Sequence, residues 1–166
     1  LVLCDAGGVG EAVAARLREA GARAWCARAK PGGAFEARAE EVELDPGDRG
    51  QWQQLLAKAG TLRGVVSCWA LDAPATLDAA EVDRALPAAL ERLLRTVQAL
   101  AEGSSRLWIA TRGAQAVAGS AADPLQAALW GLAGVADAEH PALAVTRVDV
   151  EGGAGDAEAI ARSLAL

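Results

Sequence analysis

Short apolar runs alternate along the whole chain with longer stretches in which apolar residues recur every three or four positions. A short apolar run bounded by turn residues reads as a buried strand, and recurrence at i, i+3 and i+4 reads as a helix with one covered face. Residues 1–4 predict a first strand, and Asp5-Ala6-Gly7-Gly8-Val9-Gly10 a turn. A helix follows over 11–20, with Ala12, Val13, Leu17 and Ala20 at helical spacing and Gly21 placed to stop it. A second strand is expected over 22–27, then a loop over 29–39 containing Pro31-Gly32-Gly33. A short third strand over 41–44 ends at Asp45-Pro46-Gly47. Asp48 is positioned to cap a helix running to Ala59, with Trp52, Leu55 and Leu56 facing inward.

The alternation continues with a fourth strand over 64–70, a loop over 72–76 and a mostly helical stretch over 78–102. That stretch carries the stripe Leu86, Leu90, Leu93, Leu94, Val97 and Leu100, with Pro87 expected to break or kink it. A fifth strand is predicted over 106–110 and a glycine- and alanine-rich crossing over 111–123. A helix over 124–139 has proline at its start and His140-Pro141 at its end. A sixth strand over 144–150, a turn over 151–155 and a last helix over 156–166 complete the chain.

Strands and helices that alternate in this way predict an α/β fold. The expectation is a Rossmann-like, doubly wound, mainly parallel sheet with helices on both faces, in one domain over 1–166.

Composition narrows the function. The chain has 166 residues and a net charge of −6, and its bases are scattered among acids with no basic stripe, which argues against nucleic-acid binding. Cys4, Cys26 and Cys68 are widely spaced in apolar runs and read as buried, reduced core residues. With one histidine, a Cys/His zinc site is not expected. Asp5, Asp45 and Asp72 stand at predicted strand ends, where acids could line a metal site, but they read first as turn residues. The expectation is therefore no metal. No apolar stretch reaches the length of a membrane span and no secretory leader opens the chain, so a cytoplasmic location is expected. The chain opens on a strand without an initiator Met, and it reads as part of a longer polypeptide.

The turn after the first strand sits where a dinucleotide would place its pyrophosphate on a helix N-terminus. Gly8 and Gly10 fit the first two glycines of G-x-G-x-x-G, with Gly7 beside them, but the third glycine falls on Val13. The G-x-x-x-G-x-G spacing of short-chain dehydrogenases is not met either, and Asp5 brings a like charge to the phosphate position. After the second strand, where an NAD enzyme places an acid for the ribose, Arg28 and Lys30 stand instead. They could meet a 2′-phosphate, or form a solvated basic loop. The turn is degenerate, and no cofactor is expected to bind this chain.

Reductases of this architecture use a tyrosine as the proton donor, tuned by a lysine four residues on. The chain contains no tyrosine, and the helix that would carry it begins Pro124-Leu125-Gln126-Ala127-Ala128-Leu129-Trp130. Thr111 falls near the usual serine but has no partner in the sequence pattern. His140 reads as a helix C-terminal cap. G-x-S-x-G and the phosphate-binding G-x-x-x-x-G-K-[ST] pattern are both absent. No catalytic residue is assigned.

Several segments, in this order and spacing, resemble the N-terminal structural subdomain of ketoreductases in modular type I polyketide synthases, a short-chain dehydrogenase/reductase-like fold. They are Asp5 to Glu11, Leu62-Arg63-Gly64-Val65-Val66, Trp69-Ala70-Leu71-Asp72, Arg106 to Ala114, Ala128-Leu129-Trp130-Gly131-Leu132 and Glu139-His140-Pro141. The resemblance implies a truncated or degenerate Rossmann fold without catalytic residues of its own. It also implies a following catalytic subdomain that holds NADPH, with neighbouring synthase domains, acyl carrier protein included, as partners. Leu125, Ala128, Leu129, Trp130, Leu132 and Val135 spread around most of their helix, and a helix apolar on several sides must be covered on several sides. Leu125, Leu129, Trp130 and Leu132 are the expected interface with the catalytic half. Two other classes stay open: a NADP-binding reductase-like or regulatory module, and a methyltransferase-like domain using S-adenosylmethionine. The latter would want an acid where Arg28 stands.

Overall fold

Strands that are apolar on both faces are covered on both faces only when they lie in one sheet between two helix layers. The computed structural model, which describes residues 1–73, 78–117, 119 and 121–164, has this arrangement. The strands are β1 (Val2–Cys4), β2 (Cys26–Ala29), β3 (Glu36–Arg38), β4 (Glu41–Leu44), β5 (Gly64–Ser67), β6 (Arg106–Arg112) and β7 (Thr146–Val150). The helices are α1 (Val9–Glu19), α2 (Arg49–Ala59), α3 (Ala79–Leu100), α4 (Pro124–Glu139) and α5 (Asp156–Ser163). The sheet order is β3-β4-β2-β1-β5-β6-β7, and every neighbouring pair is parallel except β3 with β4. Without β3, the order is that of the doubly wound dinucleotide-binding fold.

The pleat divides the core in two. Val2 and Cys4, with Cys26, Val66, Trp108 and Ala110, face α1 and α5, where Val13, Ala14, Ala157 and Ile160 cover them. Leu1 and Leu3, with Ala27, Val42, Val65, Leu107 and Ile109, face the opposite layer, which brings Trp52, Leu93, Val97, Leu125 and Leu129. Cys4, Cys26 and Cys68 are free thiols buried in the first of these clusters. Among the described residues no helix is long and apolar enough to cross a membrane.

Local chemistry explains the boundaries. The Asp48 side chain accepts hydrogen bonds from the Gly50 and Gln51 amides and starts α2. Asp78 and Glu81 form a reciprocal capping box at the start of α3. Asp123 caps α4, with Pro124 in its first turn.

Several boundaries differ from expectation. The second strand begins at Cys26, because Gly21 turns the chain at φ 83° and the ladder opens only with Val2 N donating to the Trp25 carbonyl. The loop over 29–39 contains β3, which folds back antiparallel on β4 through Ala39, itself at φ 52°. The fourth strand stops at Ser67, and Trp69–Asp72 forms a 3₁₀ turn. The fifth strand runs two residues further, to Arg112. Of the break or kink expected at Pro87, the break is absent, because α3 continues through it. The loop expected over 72–76, the crossing over 111–123 and the end of the last helix at 166 lie partly outside the described residues.

Candidate functional site

In an open doubly wound sheet the ligand crevice lies beyond the carboxyl ends of the strands, where the order reverses. Here that point falls between β1 and β5, the two strands from which the chain departs in opposite directions across the sheet. The turn after β1 delivers Asp5, Gly7, Gly8 and Gly10 to it, and the 3₁₀ turn after β5 delivers Asp72.

Gly8 is left-handed at φ 89°, and it serves as the residue that starts α1. Gly10 is where α1 passes closest to β1: a Cβ there would lie 2.6 Å from the Cys4 Cα. Val13, the residue in the third glycine position, is fully buried and packs into the core above β1.

The amides that open α1 are engaged by a side chain from within the chain. Gly10 N donates to Asp5 Oδ1 at 2.7 Å, and Val9 N donates to Asp5 Oδ2 at 3.3 Å. Asp5 is 2 % exposed, so this carboxylate is built into the turn. Ala6 N donates to Asp72 Oδ1 at 2.6 Å, and Asp72 also faces Arg92 at 3.6 Å. Burial pushes the Asp72 carboxyl above the usual range, against the opposing pull of the Ala6 amide and of Arg92. The third turn acid, Asp45, accepts from Gly32 N and Gly47 N. Each acid that could have lined a metal site is thus bonded to backbone amides. Among the described residues no group of three or more His, Cys, Asp or Glu side chains is arranged to hold a metal ion.

Arg28 and Lys30 are not a free basic pair. Arg28 lies 2.8 Å from Glu11 and 2.8 Å from Glu41, and Glu41 also meets Arg18. Lys30 bridges Glu43 at 2.6 Å and Glu36 at 3.0 Å. These hydrogen bonds raise the pKa of both cations, Glu41 contributing most at Arg28 and Glu43 most at Lys30. The basic loop read from the sequence is therefore a lattice of ion pairs along β2, β3 and β4.

Thr111 ends deep in the sheet, fully buried, and donates to Asp149 Oδ1 at 2.8 Å. Asp149 also accepts from the Ala114 and Gln115 amides, so the pair ties the segment after β6 to β7. Nothing in the spacing announced Asp149, which lies 38 residues from Thr111. His140 closes α4, its amide donating to the Ala136 carbonyl.

The four residues expected to face another body separate into two pairs. Leu125 and Leu129 are 1 % and 2 % exposed and belong to the chain's own core, so they are removed from the surface set. Trp130 and Leu132 are half-buried. The Arg147 guanidinium lies 5.1 Å above the Trp130 ring. Val135, one turn further along α4, and Leu94 on α3 are exposed.

Comparison with known proteins agrees with this architecture. Over 111 residues, 61% of the chain, it is 40% identical to the polyketide synthase GfsA of Streptomyces halstedii, of which the match spans 1% of the length. Among solved structures it resembles a multidomain structure of a keto acid-selecting NRPS module comprising adenylation, ketoreductase and pseudo Asub parts. That match has a TM-score of 0.72 and 16% identity, and covers 97% of this chain and 14% of the other. A double variant of a Serratia marcescens short-chain dehydrogenase/reductase matches with a TM-score of 0.63 and 19% identity, over 99% of this chain and 85% of that one. A Burkholderia cenocepacia short-chain dehydrogenase in complex with NADP matches with a TM-score of 0.56 and 17% identity, over 90% of this chain and 70% of that one. At such identities the structural likeness establishes the fold. The family is set by sequence: residues 15–166 match the model of the Rossmann fold domain of the polyketide synthase extender module SpnB, and the chain belongs to that family.

Proposed function

We propose that this domain is a non-catalytic structural subdomain. It packs against and steadies an NADPH-dependent ketoreductase half within a polyketide synthase module, where β-ketoacyl groups are reduced. The observation that carries this reading is the Asp5 carboxylate on the Val9 and Gly10 amides. A dinucleotide needs the amides at this helix end for its pyrophosphate, and here a buried internal anion already takes them and would repel a second. The residues present therefore do not fit the cofactor. Three further features support the reading. The chain contains no tyrosine. Thr111 is bonded to Asp149. Arg28 and Lys30 are neutralised by four glutamates, which counts against a 2′-phosphate site. Outward apolar residues on α3 and α4 supply a surface for the catalytic half.

The test is a calorimetric or fluorescence titration of the chain with NADPH to millimolar concentration. The expected result is no saturable binding. Saturable binding that disappears in Gly8→Val would overturn the proposal and restore the reductase-like reading.

A further inference from the structure

The carboxyl ends of the parallel strands carry the crevice described above. At their amino ends, on the opposite side of the sheet, lies a cleft of about 720 Å³. Clefts that hold ligands measure about 300–1,000 Å³. Trp25 and Trp108, with the half-buried Leu17 and Leu62, supply its apolar wall. An apolar wall alone would say little, but three arginines line the same cleft and give it a sign.

Arg23 stands shortly before β2, Arg63 directly before β5, and Arg106 opens β6. All three are exposed. The strands run in the order β2-β1-β5-β6. Neighbouring strands lie about 4.8 Å apart, so the arginines form a row along the sheet end roughly 14 Å long. Arg23 lies 5.3 Å over the Trp25 ring and Arg106 4.9 Å over the Trp108 ring. Guanidiniums held in this way lose less freedom when they meet a partner. Among the described residues no aspartate or glutamate lines the cleft, in a chain of 22 acids and 16 bases. Arg23 does pair with Glu40 at 2.6 Å, with its side chain 66 % exposed. Such exposed pairs are worth at most about 1 kcal/mol and are readily exchanged. Arg63 has no ion pair among the described residues.

A row of this length exceeds one small anion. It matches four or five residues of extended chain at about 3.3 Å each, or two to three helical turns at about 5.4 Å. Arginine also suits carboxylates, which its planar fork meets two bonds at a time. We infer that this cleft docks an acidic, amphipathic segment of a partner protein. Its carboxylates meet the arginine row, and its apolar side chains lie against Leu17 and Leu62. Trp130 and Val135 do not line the cleft, so the inference does not depend on the packing role proposed above.

The experiment follows the amide signals of the 15N-labelled chain as a short capped peptide is added, with leucine at every third or fourth position and glutamate elsewhere. Saturable shifts are expected at residues 61–64 and at Arg106, with affinity falling as NaCl rises from about 50 to about 500 mM. Arg63→Glu is expected to weaken binding about 10-fold, an attraction lost and a repulsion gained. Arg84→Glu makes the same change of charge on the exposed side of α3, outside the cleft, and leaves the affinity unchanged. Peptides with lysine in place of glutamate, or serine in place of leucine, bind about 10-fold more weakly or not at all. Absence of saturable binding, shifts centred on Trp130 instead, or equal losses in Arg84→Glu and Arg63→Glu would overturn the inference. So would octanoate moving the same amides where the peptide does not, which would assign the cleft to a small amphiphile. The two control peptides decide the matter even where Arg63→Glu fails to fold.

Discussion

At the scale of single residues, the turn after β1 shows how one atom sets a helix position. Gly10 permits α1 to cross β1 closely, because a Cβ would sit 2.6 Å from Cys4 Cα and 3.1 Å from its Cβ. A backbone atom cannot rotate aside, so Gly10→Ala must push the helix outward and strain the Gly10 bond to Asp5. Overpacking of this kind costs about 1–3 kcal/mol. We expect Gly10→Ala to lower the unfolding free energy by about that amount in urea titrations. Gly8→Ala, with open space around it but φ at 89°, should lose about 1–2 kcal/mol through backbone strain alone. The two glycines thus do different work, and spacing reveals only part of it. A fingerprint reading places the close approach at the third glycine position, held here by Val13, whereas the crossing is at Gly10 and Val13 is ordinary core. Asp5 is legible as a carboxylate in the phosphate position. That it folds inward to accept two amides depends on the turn's geometry, which no residue spacing encodes.

Among elements, those with both a periodic core face and a capping residue are the ones the sequence reveals. The helix Arg49–Ala59, capped by Asp48 and with Trp52 and Leu55 buried, falls at the limits that pattern and cap predict. Strand β3 is invisible to such reasoning because Glu36 and Arg38 are exposed and only Ala37 turns inward. Its strand character comes from antiparallel pairing with β4, a tertiary cause. Pro87 allows either a break or a kink, and α3 runs on through it unbroken. Proline within a helix removes one amide donor and crowds the preceding turn, yet a helix tolerates it where water can serve the freed carbonyl. Both Pro87 and Asp83, whose carbonyl loses its partner, lie on the exposed side of α3. The substitution Pro87→Ala restores that bond. Peptide propensities put the difference at about 3 kcal/mol, and relaxation of the existing helix will return part of it. We expect Pro87→Ala to raise stability by about 1–3 kcal/mol, read as a higher denaturation midpoint at unchanged slope. A lower midpoint would mean that the local geometry imposed by Pro87 is itself needed to seat Leu93 and Val97 on the sheet.

For the molecule as a whole, the proposed packing role asks which surface a catalytic half would cover. The core accounts for Leu125 and Leu129, so truncating them would damage the fold by about 2–5 kcal/mol and say nothing about docking. Trp130 is different. It is half-buried, contributes no side chain to either core cluster and is stacked by Arg147 at 5.1 Å. A partly wet aromatic beside an exposed Val135 has the character of an interface anchor, which on truncation typically costs 2 kcal/mol or more of binding, about 30-fold in affinity. The isolated domain should lose little from Trp130→Ala, about 0.5–1 kcal/mol for the cation–π contact. Binding and melting therefore separate the two roles. Titration of the separately produced ketoreductase half with Trp130→Ala should show the 30-fold loss, while the melting temperature of the domain moves by only a few degrees. An unchanged affinity would remove α4 from the docking surface. A collapse in melting would show that Trp130 belongs to the fold, and the exposed Val135 and Leu94 would then be the positions to change.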